Sequence, residues 1–291
     1  MRLSLILLPR GVHGTRETLT AVGETAEQAG LSRVWFGDHI VYPVEIASTY
    51  PGTGGALGYN AETPQLDLTV AMTVVALATE RVGIGTSVVV LAQRNPVAFA
   101  KQLASLDVIC GGRLALGIGV GWCAEEFAAL GAPFARRGAR TDEYVAAMRT
   151  LWTEPQPAFD GDFVKFAPLY CNPKPVQPGG PQIWIGGYGE AAYERTARYG
   201  AGFLAGARLA DPEAALRLRQ DIRRRAADLG RPDAERIGLQ TTFWIPDRAA
   251  FGRRLREMRD AGLEEACIPL QGRSTAEVRD FILAIPDLLS A

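Results

Sequence analysis

The 291-residue chain predicts an α/β protein folded as one (β/α)8 barrel, residues 1–291 forming a single domain. Three observations carry that expectation. Apolar, strand-like runs alternate with helical stretches along the whole length, eight times over. Val82–Trp122 reads strand, helix, strand, and its first strand is apolar on both faces, as in a parallel sheet covered on each side. Hydrophobic content of 47% and charged content of 22% suit a large core, and chains of this length commonly close as one barrel. An open doubly wound sheet is the alternative that the same alternation allows.

Each element has its own justification. Arg2–Leu8 is a first core strand, and Arg16–Ala29 is an amphipathic helix stopped by Gly30. Arg33–Gly37 is strand two, with Asp38-His39 at its C-terminal end. Val41–Pro64 has no helical period and reads as a long insertion loop, a length usually kept for function. Leu66–Ala78 is helix two. Strand three runs through VGIGTSVVVLAQ, and Asn95-Pro96 then supplies an N-cap and a first-turn proline for the helix that Gly111-Gly112 ends. Strand four begins at Arg113 and finishes in Gly117, Gly119 and Gly121. A second insertion follows: a short helix at Ala124–Leu130, a helix at Ala139–Trp152, a hairpin at Phe159–Phe166 turning at Asp160-Gly161, and a Pro-rich linker at Cys171–Pro181. Gln182–Ile185, Gly202–Ala205, Ile237–Ile245 and Glu265–Leu270 are strands five to eight. Helices at Glu190–Tyr199, Asp211–Gly230, Asp247–Ala261 and Thr275–Leu283 follow them.

Charge and cysteines exclude several classes. A net charge of −1 leaves no basic footprint for nucleic acid or an anionic membrane. No apolar run is long enough to span a bilayer. The apolar start LSLILL is cut short at Pro9-Arg10 with no small-residue cleavage site, so a cytoplasmic location is expected. Cys110, Cys123, Cys171 and Cys267 have no metal-type spacing and read as buried free thiols, with no metal expected.

A barrel places the residues that follow each strand around one mouth, which makes them the candidates for chemistry. His13 and His39 are the only histidines, and both lie there. Asp38 can orient a ring or accept a hydrogen bond from a heterocyclic N–H. Gly186-Gly187-Tyr188-Gly189 joins strand five to its helix. Its free N–H groups make it either a phosphate site or simply a tight turn. The glycines of strand four do not have the spacing of a dinucleotide fingerprint, and are expected to let a flat ring approach the backbone.

Taken together, WFGDH after strand two, GIGTSVVVLAQRNP through strand three, GGRLALGIGVGWCAEEF through strand four and WIGGYGE after strand five resemble the luciferase-like flavin and deazaflavin oxidoreductases. The compact length and Asp-His after strand two resemble the coenzyme F420-dependent branch more than the FMN-dependent monooxygenases. The resemblance implies hydride transfer between reduced F420 and a small organic substrate. The alternatives are an FMN-dependent monooxygenase and a non-catalytic flavin-binding protein. It implies a non-prolyl cis peptide at Ser87-Val88 backing the ring, ring contacts from Asp38 and from Val120-Gly121, and phosphate contacts from Gly186, Gly187, Gly189 and Glu190. His39 and Trp122 are the catalytic candidates. The sugar-phosphate dehydrogenases of this branch carry a glutamic acid where this chain has Trp122. That departure argues for an apolar or aromatic substrate against Trp122, Trp35, Tyr42 and Tyr50. Glu125 and Glu126 lie a helical turn further on: one of them facing the pocket is an alternative, and a solvated face of the short insertion helix is the stronger reading. Relatives in the family are commonly dimers. The nearly all-apolar Leu66–Ala78 helix fits that, and a homodimer is expected.

Overall fold

The computed structural model describes residues 1–52, 60–206, 209 and 211–290. Eight parallel strands carry the fold: β1 (Arg2–Leu7), β2 (Arg33–Phe36), β3 (Gly83–Thr86), β4 (Leu114–Gly119), β5 (Gln182–Gly186), β6 (Gly202–Ala205), β7 (Gly238–Thr242) and β8 (Glu265–Pro269). Neighbours in sequence pair in register, β8 pairs back onto β1 through Arg2↔Glu265, and β3 pairs with β4 through Ile84↔Leu114. The sheet therefore closes, which sets aside the open doubly wound alternative: this is a (β/α)8 barrel.

Helices α1 (Arg16–Gln28), α2 (Leu68–Leu77), α3 (Pro96–Ile109), α4 (Ala124–Ala129), α5 (Arg137–Thr153), α6 (Glu190–Tyr199), α7 (Pro212–Asp228), α8 (Arg248–Asp260) and α9 (Thr275–Leu283) follow in order. Six of these helices start at a capping side chain. The side chains of Thr15, Asp67, Asn95, Asp211, Asp247 and Ser274 each accept a first-turn N–H, a contribution of about 1 kcal/mol apiece. The Phe159–Asp160 and Lys165–Phe166 strands form the expected antiparallel hairpin outside the barrel.

Strand three departs from a straight run. β3 ends at Thr86, the Ser87-Val88 peptide is cis, and Val89-Val90 resumes pairing along β4 before a 3-10 turn at Leu91–Gln93. The cis bond is the one that the family resemblance implies.

Side chains fill the barrel interior. Trp35, Ala115, Trp184, Leu204 and Cys267 pack there, with Trp35 and Trp184 edge to face at 5.8 Å. A Cβ at Gly85 would meet Trp35 at 2.5 Å and one at Gly202 would meet Trp184 at 2.4 Å, so the facing glycines make room for the indoles. Trp35, expected beside the substrate, is therefore not a mouth residue. It is fully buried, and its Nε1 donates to Glu265 Oε1 at 3.2 Å. Side chains alternate along a strand, and Trp35 points into the barrel below the mouth. All four cysteines are free and buried.

Candidate functional site at the barrel mouth

The mouth is built from the segments after β2, β4 and β5. Asp38, directly after β2, is buried, and both its oxygens accept from Arg94 Nη2, at 2.7 and 2.9 Å. The Val90 N–H adds a longer bond at 3.4 Å. Burial pushes the Asp38 carboxyl up, and the Arg94 guanidinium opposes it. Asp38 therefore ties the β2 end to the turn before α3. Arg94 carries no motif of its own, and only its place before the Asn95-Pro96 cap puts it near the mouth.

His39 lies one residue further on. Its Nδ1 is 3.1 Å from Oε2 of Glu126, whose side chain is 2% exposed. Glu126 Oε1 accepts from the N–H of Ile40 at 2.8 Å and of Val41 at 3.4 Å. Burial works against ionisation of Glu126. The hydrogen bonds from His39 and Ile40 outweigh it and hold the carboxyl below the usual range. The expectation of a solvated Glu125/Glu126 face is therefore wrong for Glu126. The α4 insertion folds inward over the loop after β2, so its first turn points at the mouth. Glu125 binds the same loop, accepting from the N–H groups of Ala47 at 2.8 Å and Ser48 at 3.0 Å. Ser48 Oγ answers by accepting the Ala124 N–H at 3.0 Å. These contacts fasten α4 to residues 40–48.

Aromatic rings surround His39. Tyr42 lies 4.7 Å from the imidazole, Trp122 stands edge-on to it at 6.2 Å, and Tyr50 packs edge-on to Trp122 at 5.4 Å. Tyr42 donates to Gln65 Oε1 at 2.9 Å, and Gln65 Nε2 donates to the His39 carbonyl at 3.1 Å. Burial pushes the Tyr42 phenol up to about 12, so this ring stays neutral. His13 is also on this face, its Nε2 3.0 Å from the Gly272 carbonyl in the loop after β8.

The strand-four glycines leave room for neighbouring parts of the chain. A Cβ at Gly117 would sit 1.9 Å from the Thr86 carbonyl, one at Gly119 2.4 Å from Val88, and one at Gly121 2.6 Å from Phe127 and Val90. Those spaces are taken by the irregular end of strand three and by α4, so the glycines accommodate the chain itself. Gly186 makes the same allowance, 2.5 Å from Val88. The Val88 side chain is thereby flanked by Gly119 and Gly186 at the top of the barrel. Val120 lines a small cavity beside them, together with Gly186, Gly187, Tyr188, Ala191 and Arg195.

That cavity, about 90 Å³, opens at the N-terminus of α6. Gly187 and Gly189 have φ of 146° and 90°, which glycine adopts without penalty, and a Cβ at Gly189 would meet nothing within 4 Å. Arg195, held by Asp142 at 2.8 Å, lines the cavity, and Arg137 donates to the Gly121 carbonyl at 3.0 Å. Burial, and then the neighbouring Arg195, push the Arg137 guanidinium down, as expected of two cations sharing one region. Glu190 directs its carboxylate away, to Arg225 at 2.7 Å, leaving its backbone at the helix start. The N-terminal turn of α6, with the Arg195 guanidinium beside it, is the place where a cofactor phosphate could be held.

The sequence profile of the luciferase-like monooxygenases matches residues 1–277, and the chain belongs to that family. It is 31% identical over 267 residues to the uncharacterized protein Rv0953c of Mycobacterium tuberculosis, covering 91% of each. It is 33% identical over 144 residues to an FMNH2-dependent dimethylsulfone monooxygenase of Pseudomonas putida, covering 48% of this chain and 39% of that one. Among solved structures, monooxygenase RslO1 from Streptomyces bottropensis superposes with a TM-score of 0.77 at 20% identity, covering 100% and 99% of the two chains. An F420-dependent secondary alcohol dehydrogenase, solved with an F420-acetone adduct, gives 0.74 at 17% identity over 99% and 98%.

Proposed function

We propose that the protein is an oxidoreductase that transfers a hydride between reduced coenzyme F420 and a small, apolar or aromatic organic molecule. The observation that carries this reading is the carboxylate-held imidazole of His39 at the same mouth as the phosphate-fitting turn of α6. A deazaflavin supplies or accepts hydride and reacts poorly with oxygen, so the protein must bind it, orient it and manage the accompanying proton. Gly186, Gly187, Gly189 and the Glu190 backbone, with Arg195, would hold the cofactor phosphate. Val88, flanked by Gly119 and Gly186, would back the ring together with Ser87 and the Val120-Gly121 backbone. Asp38, engaged by Arg94, would shape that pocket as an anchor. His39 would give or take the proton, and Trp122, Tyr42 and Tyr50 would enclose the substrate and exclude water.

A second reading is an FMN-dependent monooxygenase. The stretch similar to the FMNH2-dependent dimethylsulfone monooxygenase favours it. Titrating the apoprotein with F420 and FMN in parallel, followed by fluorescence quenching, separates the two. F420 binding the tighter is the expected result, and FMN binding without F420 binding would promote the monooxygenase.

A further inference from the structure

The geometry points to Glu126 as the residue that positions His39, fixing which of its ring nitrogens carries the proton. The inference rests on the reading of His39 as the proton-handling group and supplies its missing partner. In chain order the two are far apart, 87 positions, and only the inward fold of α4 joins them.

Three features lock the contact. Oε2 of Glu126 meets Nδ1 of His39 at 3.1 Å, while Oε1 accepts the Ile40 N–H at 2.8 Å, so the carboxylate spans the residue and its successor. The side chains are 2% and 11% exposed, so little water competes. Glu125 fixes the loop a few residues on, through the Ala47 and Ser48 N–H groups, and the α4 start cannot slide along it. An ionised carboxylate has no proton to donate, so Nδ1 must be the donor. The neutral ring then carries its proton on Nδ1 and its basic lone pair on Nε2. That is the arrangement in which a carboxylate orients a histidine by its far nitrogen. α4 thus supplies a carboxylate to a mouth whose strand-four position holds Trp122.

Nitrogen-15 NMR of the imidazole groups in the full apoprotein tests this directly. The chain has two histidines, and His13, on the Gly272 carbonyl, serves as the internal control. In wild type the neutral His39 is expected to show a protonated Nδ1 and an unprotonated Nε2. In Glu126→Gln the amide oxygen is retained by the Ile40 and Val41 N–H groups. The amide NH2 then faces Nδ1, and the tautomer is expected to invert while His13 is unchanged. A wild-type ring protonated on Nε2, or a folded Glu126→Gln protein that keeps the Nδ1–H signature, overturns the inference. The wild-type measurement decides it even if the variant fails to fold. Neither coenzyme nor substrate is present, so failure of F420 to bind would count against the proposed function alone.

Discussion

Arg94 donates through one nitrogen to both oxygens of the buried Asp38, at 2.7 and 2.9 Å, joining the end of β2 to the turn before α3. His39 follows Asp38 directly, so this ion pair sets the position of the segment that carries it. Arg94→Met should leave Asp38 a buried charge without a partner and cost about 3–5 kcal/mol in urea denaturation. The double variant Asp38→Asn/Arg94→Met should lose clearly less. Equal losses would mean that the pair does not anchor the mouth.

His39→Ala should lower turnover by about 10²–10⁴-fold, the usual worth of a placed acid or base, with the fold retained. The ring lies at the mouth and carries little of the core. Steady-state kinetics beside a thermal melt distinguishes this from unfolding, and unchanged turnover would return His39 to a structural role.

Acid should loosen the α4 clamp before the barrel. Hydrogen bonds from Ser48 above all hold the Glu125 carboxyl at about 2, against 4.5 in the unfolded chain, and Glu126 is lowered as well. A folded-state value below the unfolded one gives stability that is complete above 4.5 and lost as pH falls through the depressed value. Trp122 fluorescence, with Tyr50 against the ring, should therefore change on the way down toward pH 2 while far-ultraviolet circular dichroism holds. In Glu125→Gln/Glu126→Gln that acid step should disappear. A step that persists would place it elsewhere.

α2 leaves Val70 54% and Leu77 74% exposed, and the end of α3 leaves Val108 44% and Ile109 50% exposed. We propose that this apolar face forms a homodimer contact. Light scattering at micromolar concentration should give twice the 31.3 kDa chain mass, and Leu77→Glu should shift it toward the monomer. A monomeric wild type would refute the contact.

Much of the fold was legible because its signals are local. Asn95-Pro96 and Asp211-Pro212 begin α3 and α7 where the capping chemistry requires, and Glu190–Tyr199 and Thr275–Leu283 coincide with α6 and α9. The site was legible only in part. His39 and the glycine turn after β5 follow from their places after strands. Glu126 was only the weaker of two readings, because a short insertion helix looks the same from sequence whether it faces solvent or folds over a neighbouring loop. Its burial depends on Glu125 and Ser48 meeting across the loop. Arg94 was missed because nothing local pairs it with Asp38, 56 positions away. Trp35 was misplaced although strand parity sets Trp35 and Gly85 facing inward, a signal that was available. The glycines of strand four showed that something approaches closely there, and the approaching groups are Thr86, Val88 and Phe127 of this chain.

The proposed hydride transfer, with His39 handling the proton, needs no oxygen. The most direct measurement is anaerobic stopped-flow, following the deazaflavin absorbance of reduced F420 with the protein and a panel of aromatic and aliphatic carbonyl compounds. Reduced F420 should be oxidised by at least one panel member under strict anaerobiosis, and about 10²-fold or more slowly in His39→Ala. No anaerobic reaction, together with turnover only when reduced FMN and oxygen are supplied, would contradict it.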